Sequence, residues 1–303
     1  MALLLVLHGA VALTTTSRGS LGRQTVRMGV TLEEDAGGLK YVHLTHKSGS
    51  SAKVFVYGAD VTSYVDAQGT EWIAVRPDAK MDGSKPISGG LSHCFPQFGP
   101  GPIQQHGFAR NVDWSMVDMD ESSVTFSLDP NDYTKAMWDE PFSCFFKVGL
   151  TEAALETVLT VNNVDLKSEG FEFQAALHSY FDVSSIGATT ISGDSFEGSS
   201  YLDKMADPPA TCTETRKEIT IAEEYDRVYK GVSDPVLKDE GKKRQLKILN
   251  KQGYKDTVIW SPYGNEAMGF NKFVCVESVA FDKVTLAGGE SWVGEMALVP
   301  EPL

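Results

Sequence analysis

The length, composition and charge of the chain exclude several classes of protein. Its 303 residues suffice for a sizeable core and would fit two average domains, although single all-β domains often reach this size. Asp and Glu total 41 against 27 Lys and Arg, which gives a formal net charge of −14 at pH 7. So acidic a chain argues against a nucleic-acid partner and against an anionic membrane surface, although local donors can still bind a small anion.

The first 30 residues have the composition of a targeting leader. The run Leu3–Leu7 is apolar but too short to span a bilayer, and Ala10–Ala12 resembles a small-residue cleavage site. The following segment is rich in Ser and Thr and carries three basic residues before any acid: Arg18, Arg23 and Arg27. We therefore predict that residues 1–30 form a cleaved signal-plus-transit leader, too poor in apolar surface to fold, that directs the protein to a plastid. The alternatives are a secreted protein with an ordinary signal peptide and a cytoplasmic protein.

From about Leu39 onward, apolar residues mostly recur at every second position, which predicts β-strands. The segment Phe142–Leu150 shows this alternation, and further candidate strands start near Val124, Ala154, Phe171, Gln245, Asp256, Phe273 and Ser291. Helical patterns are scarce, and the best is a short one over residues 130–136. Many short strands between turn residues predict a single domain over residues 31–303 with an all-β fold, a large antiparallel sandwich. The sequence shows no internal repeat and no transmembrane stretch.

The four cysteines lie far apart in the sequence. Their spacing disfavours a zinc knuckle, a CxxC redox site and a dense disulfide framework. We expect free thiols in a reducing compartment at Cys94, Cys144, Cys212 and Cys275.

The stretch Lys85–Asn111 is rich in glycine and proline. These residues predict that no regular helix or central strand runs through it, so that it forms an ordered loop. Three phenylalanines are expected to anchor the loop to a core: Phe95, Phe98 and Phe108. Its polar residues are Gln104, Gln105, His106 and Arg110. An anchored loop with polar side chains is typical of a functional site, and a plain crossover between strands is the alternative.

Three titratable residues are further candidates for chemistry. His178 lies in a predicted strand and should point away from that strand's most apolar face, although a lone strand histidine is more often packed or solvated than catalytic. Glu277 ends the run FVCVE, whose two faces are both apolar, and a carboxylate in such a strand is costly unless it is paired or useful. Asp226 has the alternative of a surface ion pair with its neighbour Arg227.

Four short segments carry a resemblance to a known family. They are QHGFARN at Gln105–Asn111, ALHSYFDV at Ala176–Val183, EYDRVY at Glu224–Tyr229 and FVCVE at Phe273–Glu277. In this order and spacing they resemble the glucose-6-phosphate 1-epimerases, a branch of the aldose 1-epimerase superfamily. The resemblance extends from about Leu39 to the C-terminus, and the loop SGGLSHCFPQFGPG is most similar to the plastid-type members. The resemblance implies a galactose mutarotase-like β-supersandwich fold.

The resemblance implies an isomerase that interconverts the α and β anomers of a hexose 6-phosphate, with glucose 6-phosphate as the first choice. This chemistry removes the proton of the C1 hydroxyl, protonates the ring oxygen and recloses the opened sugar on its other face. In the family, the residue matching Glu277 is the base and the residue matching His178 is the acid, and both residue types can be tuned towards neutrality. No metal or cofactor is expected, and the sequence has no Walker loop and no zinc-ligand spacing.

The substrate-binding residues carry over from the same resemblance. Gln105 and Asp226 suit sugar hydroxyls and Arg110 suits a phosphate, while His106 either lines the sugar pocket or braces the loop. One position departs from the family pattern KPxRGG, because this chain has Ser88 where an arginine is usual. Three basic residues upstream are candidates to compensate: Arg76, Lys80 and Lys85.

Two other functions stay open at this stage. Ser88 favours an aldose 1-epimerase that acts on unphosphorylated sugars. A non-catalytic sugar-binding β-sandwich is the third alternative, and the presence of both Glu277 and His178 argues against it. In each case we expect a small-molecule sugar or sugar phosphate as partner and a monomeric protein.

Overall fold

The computed structural model of the chain describes residues 29–303. The predicted leader lies outside the described residues, apart from Gly29 and Val30, which belong to the first strand. None of the helices in residues 29–303 is long and apolar enough to cross a membrane.

The described part of the chain contains twenty strands. In chain order they are β1 (Gly29–Glu34), β2 (Lys40–Thr45), β3 (Ser51–Phe55), β4 (Val61–Val65), β5 (Leu91–Cys94), β6 (Ser115–Met119), β7 (Ser123–Leu128), β8 (Phe142–Leu150), β9 (Leu155–Asn163), β10 (Phe171–Asp182), β11 (Thr189–Ser192), β12 (Ser200–Asp203), β13 (Ala210–Thr213), β14 (Glu218–Thr220), β15 (Tyr225–Tyr229), β16 (Val236–Asp239), β17 (Arg244–Gln252), β18 (Asp256–Ser261), β19 (Phe273–Leu286) and β20 (Ser291–Pro302).

The strands form two large antiparallel sheets, which confirms the predicted fold class. One sheet has eleven strands in the order β1-β2-β3-β4-β5-β10-β19-β18-β15-β12-β13. The other has nine strands in the order β14-β11-β16-β17-β20-β9-β8-β7-β6. Within this description the predicted strands appear at their expected places, including the long strands β10 and β19.

The core contains apolar side chains from both sheets. Strand β9 shows why, because its residues alternate strictly between buried and half-buried positions. Fully buried aromatic residues from β7 and β8 join the same cluster, among them Phe126, Phe142 and Phe146. Burying one such side chain contributes about 1.5–3 kcal/mol, so the alternation of apolar residues also fixes which face of each strand turns inward.

The predicted short helix is present as α1 (Asp132–Lys135), beside four 3₁₀ turns at Ala109–Asn111, Ile186–Ala188, Glu266–Met268 and Phe270–Lys272. The side chain of Asn131 accepts the backbone N–H groups of Tyr133 and Thr134, and the Thr134 hydroxyl accepts the backbone N–H of Asn131. This reciprocal cap contributes about 1 kcal/mol, which lets so short a helix form.

The expectation that no central strand crosses Lys85–Asn111 is wrong. Strand β5 lies inside this stretch, between β4 and β10 near the middle of the larger sheet. Its four residues, Leu91–Cys94, contain neither glycine nor proline. Gly90 directly precedes the strand, and Pro96 follows two residues after its end. Glycine and proline therefore limit this strand to four residues but do not prevent it.

Candidate active site

Strands β10 and β19 place His178 and Glu277 side by side. Leu177 pairs with Ser278 and Tyr180 pairs with Cys275, so His178 and Glu277 lie opposite each other between these two pairs. Alternation along a strand turns Leu177 towards the core between the sheets and His178 towards the outer face, as the sequence predicts.

The two side chains are close and almost inaccessible to solvent. Nδ1 of His178 lies 3.5 Å from Oε1 of Glu277, with 11% and 2% of the respective side chains exposed. Nδ1 of His178 and the second carboxylate oxygen of Glu277 have no hydrogen-bond partner among the described residues. Buried polar atoms without partners cost about 1–3 kcal/mol each, so this arrangement is explained better by function than by stability.

Burial shifts the pKa values of this pair in opposite directions. Desolvation raises the pKa of the Glu277 carboxyl well above its usual range, and the nearby charge of Asp226 adds to the effect. Desolvation also lowers the pKa of His178 well below its usual range, with further lowering by His106 and Arg110. Both shifts favour the neutral form of each side chain, in which the proton sits on Glu277.

The loop that follows β5 covers this pair and is anchored as predicted. Phe95 and Phe108 are buried in the main core. Phe98 is buried in a smaller cluster on the outer face of the sheet, where Ala176 and Val258 lie. Hence the loop is fixed to both faces of the larger sheet, and its polar residues are held over His178.

His106 lies on this loop in a left-handed backbone conformation, with φ 66°. Its Nδ1 accepts the backbone N–H of Gly99 at 3.2 Å and also contacts Sγ of Cys94 at 3.2 Å. Because Nδ1 accepts, the ring proton belongs on Nε2. Burial lowers the pKa of His106 to about 3, with further lowering by Arg110, so the ring stays neutral. Its ring centroid lies 5.4 Å from that of His178.

Arg110 and Gln105 reach the same place from the loop. An Nη2 group of Arg110 donates to the backbone carbonyl of Gln105 at 3.1 Å. Its Nε is buried without a hydrogen-bond partner, and no described carboxylate forms an ion pair with it. The buried Asp60 is near enough for Arg110 to act on it. Desolvation raises the pKa of its carboxyl well above the usual range, which favours the neutral form, and the charge of Arg110 opposes this rise. Arg110 therefore keeps donors for a ligand.

Asp226 approaches from β15 and pairs with a residue that the sequence did not single out. Nζ of Lys204 lies 2.7 Å from Oδ2 of Asp226. The proposed alternative, an ion pair between Asp226 and Arg227, is wrong because Arg227 pairs with Asp203 at 3.0 Å. A lysine in the turn after β12 has no distinguishing sequence signal, so only the folded chain connects Lys204 with the site.

All the predicted site residues line one cleft of about 340 Å³: Gln105, His106, Arg110, His178, Asp226 and Glu277. The remaining lining residues are Arg76, Ser88, Phe98, Tyr180, Lys204, Val258, Trp260 and Met268. Tyr180 could have been found from the sequence, since it lies two residues after His178 on the same strand face. Its ring stacks on that of His178, with 4.8 Å between centroids.

The floor of the cleft also contains a group of potential metal ligands. One ligand atom each from His178, Cys275 and Glu277 lies within 4.8 Å of the others. Two of the three belong to the buried pair, so an ion bound there would engage the same two side chains.

Comparison with known proteins places this chain in a family. The Aldose 1-epimerase family model matches residues 40–299. A protein of Cenchrus ciliaris named "Putative glucose-6-phosphate 1-epimerase" is 30% identical over 292 residues, which cover 89% of this chain and 88% of the relative. A protein of Escherichia coli K12 with the same name is 30% identical over 246 residues, covering 75% of this chain and 79% of the relative.

Solved structures agree on the fold. A crystal structure from Salmonella typhimurium, titled "putative mutarotase (YeaD)", superposes with a TM-score of 0.77 at 22% identity and covers 90% of this chain and 97% of its own. A galactose mutarotase-like protein from Lactobacillus casei superposes with a TM-score of 0.71 at 17% identity, covering 90% and 100%. The fold is thus galactose mutarotase-like, and because the family model matches most of the sequence, the chain belongs to the aldose 1-epimerase family.

Proposed function

We propose that this epimerase interconverts the α and β anomers of a hexose 6-phosphate, with glucose 6-phosphate as the preferred substrate. The observation that carries the proposal is the buried His178–Glu277 pair, 3.5 Å apart at the floor of a cleft that also contains the cations Arg76, Arg110 and Lys204. The names of the relatives from Cenchrus ciliaris and Escherichia coli support the same substrate.

The pair can act as base and acid in one cycle. Ring opening moves the O1 proton to the Glu277 carboxylate while protonated His178 gives its proton to O5, and the C1–O5 bond breaks. Rotation about the C1–C2 bond then turns the aldehyde over. Ring closure returns the Glu277 proton to O1 while O5 attacks C1 and releases its proton to His178. Each half of the cycle moves two protons and leaves the total unchanged.

Burial favours one half of this cycle. After ring opening Glu277 is protonated and His178 is neutral, which is the arrangement that desolvation favours for both groups. The buried pair therefore favours the protonation state that follows ring opening over the ionised state from which ring opening starts. In an exposed pair, water would stabilise the ionised arrangement instead.

The other residues of the cleft suit binding. His106 presents a fixed Nε2–H donor, and the Lys204–Asp226 pair offers a donor and an acceptor for sugar hydroxyls. Arg110, which has no carboxylate partner among residues 29–303, suits an anionic group. Since all these residues come from one chain, we propose the monomer as the active unit.

NMR exchange spectroscopy on the anomers of glucose 6-phosphate and of glucose, with and without enzyme, tests the proposal. We expect enzyme-dependent α/β exchange with a higher kcat/KM for glucose 6-phosphate than for glucose. A higher kcat/KM for glucose would favour an epimerase of unphosphorylated sugars, and no acceleration for either sugar would favour a binding protein without catalysis.

A further inference from the structure

Arg76 reaches the cleft although nothing in the recognised motifs includes it. Its segment pairs with the Lys85–Asn111 stretch, because Val75 bridges Gly89 and the backbone N–H of Arg76 donates to the carbonyl of Ser88 at 2.9 Å. Two residues earlier, Ala74 donates its N–H to the carbonyl of Tyr180 at 2.9 Å. Arg76 is thereby fixed next to Ser88 and beside the ring that stacks on His178.

The guanidinium of Arg76 is held in one orientation. Its Nε and Nη2 donate to the two oxygens of Asp78 at 2.9 and 2.6 Å. The Arg76 side chain is only 13% exposed, whereas Asp78 is 42% exposed, so the acid lies on the solvent side of the arginine. Burial alone would lower the pKa of Arg76, but its hydrogen bonds to Asp78 and Tyr180 raise it. Arg76 lines the cleft, and its guanidinium has further N–H groups beyond the two that Asp78 accepts.

Two arginines lie near enough to Tyr180 for their charges to act on its hydroxyl. Desolvation raises the pKa of the Tyr180 hydroxyl well above its usual range, and among the charges that oppose this rise are Arg76 and Arg110. Both arginines also line the cleft. Two guanidinium donors are therefore available at one end of the cleft, although the whole chain has a net charge of −14.

The order of groups along the cleft matches the order of atoms in a pyranose 6-phosphate. In the sugar, O5 lies between C1 and C5, and C5 carries the phosphorylated C6. In the protein, His178 lies between Glu277, on its partner strand, and Tyr180, which stacks on its ring. With O1 at Glu277 and O5 at His178, the C6 substituent points towards Tyr180. The Lys204–Asp226 pair, whose charges act on Glu277, is then left for the C2 and C3 hydroxyls.

We propose that Arg76, together with Arg110 and Ser88 of the same cleft, forms the subsite that binds the 6-phosphate and sets the preference for phosphorylated sugars. This inference rests on the proposed function and adds the residue that distinguishes the two sugar classes. Asp78 is a positioning residue, because it holds the guanidinium without reaching the substrate. Of the three basic residues upstream of Ser88, Lys80 and Lys85 are exposed and do not line the cleft.

The test compares Arg76→Gln with Lys85→Gln as matched control, since both remove one positive charge from the same segment. Arg76→Gln should raise KM for glucose 6-phosphate about 10- to 100-fold and leave kcat/KM for glucose within about twofold. Lys85→Gln should change neither. Adding Ser88→Arg to Arg76→Gln should restore part of the lost affinity, because the two backbones are neighbours and the new guanidinium enters the same subsite. A purely structural role would not show this rescue.

Three results would overturn the inference. They are an unchanged KM for glucose 6-phosphate in Arg76→Gln, an equal loss for both sugars with a normal unfolding temperature, and an equal effect of Lys85→Gln. Calorimetric measurement of glucose 6-phosphate binding separates failure of the subsite inference from failure of the proposed function. If wild-type protein binds the phosphate sugar without catalysing exchange and Arg76→Gln weakens that binding, the subsite stands and the epimerase proposal fails.

Discussion

At the scale of single residues, the cleft trades stability for reactivity. Glu277 is a buried carboxyl with one oxygen unpartnered, and its neighbour His178 is buried with an unpartnered Nδ1. Both groups would be better solvated in the unfolded chain. We attribute this cost to the chemistry that the pair performs, and it has three measurable consequences.

The first consequence is catalytic. Glu277→Gln and His178→Asn should each lower the rate of anomer exchange by about 10²- to 10⁴-fold, because each removes one of the two proton-transfer groups while keeping a similar shape. Circular dichroism should show an unchanged fold. A folded variant with nearly full exchange activity would remove that residue from the mechanism.

The second consequence concerns the pH dependence of kcat. The active form carries one proton on the pair, so activity should fall when the pair gains a second proton or loses the last one. From the residue types alone, the acidic limb would be assigned to Glu277 and the alkaline limb to His178. The directions of the pKa shifts reverse this assignment. The lowered pKa of His178 places the acidic limb well below pH 6.5, and the raised pKa of Glu277 places the alkaline limb well above pH 4.5. Replacing His178 should therefore remove the acidic limb. Loss of the alkaline limb in that variant would contradict the assignment.

The third consequence is a gain in stability. Because the pKa of Glu277 is raised in the folded state, the unfolded state loses this proton first, and the folded state becomes relatively less stable as pH rises above about 4.5. Glu277→Gln removes this effect and should raise the unfolding temperature at pH 7 but not at pH 4. The difference in unfolding free energy between the variant and the wild type should grow by about 1.4 kcal/mol per pH unit until the raised pKa of Glu277 is reached. A variant equally stable or less stable at pH 7 would show that the carboxylate is stabilised by its partners instead.

At the scale of secondary structure elements, the loop after β5 couples the core to the cleft. Its phenylalanine anchors could be predicted from their spacing among glycines and prolines, but strand β5 could not, because four residues are too few for a periodic signal. Gly107 shows how tightly the loop is fixed. It has φ 71°, and a Cβ atom there would lie 2.1 Å from the carbonyl oxygen of Phe95.

Two glycine substitutions in this loop separate backbone strain from a steric clash. Gly99 has φ 73° and open space where a Cβ atom would lie, so Gly99→Ala should cost only the left-handed conformation, about 1–2 kcal/mol. Gly107→Ala adds the collision with Phe95 and should displace the adjacent His106. We expect Gly107→Ala to lower kcat/KM far more than Gly99→Ala, measured at a temperature where both variants are folded. Equal effects would mean that the position of His106 does not depend on this contact.

At the scale of the whole molecule, the sequence predicts the fold class well because two-residue periodicity recurs along most of the chain. It also identifies the residues that recognised motifs contain, from Gln105 to Glu277. It does not identify Lys204, and it offers Arg76 only as one of three basic candidates, since neither has an unusual local pattern and each reaches the cleft through the pairing of a neighbouring strand segment. Cross-strand neighbours such as His178 and Glu277 are 99 positions apart in the sequence, and only the register of β10 against β19 brings them together.

The last prediction concerns the leader expected over residues 1–30, which we propose directs the protein to a plastid. The described fold begins with β1 at Gly29, so deleting residues 1–28 leaves every described strand intact and should leave kcat and KM unchanged. Fused to a fluorescent protein, these residues should carry it into plastids. A matched fusion with Leu3–Leu7 changed to serine should lose entry into the secretory membranes, because the apolar run is what a signal-recognition step requires. Secretion of the first fusion, or its retention in the cytosol, would contradict the plastid proposal and favour one of the two alternative locations.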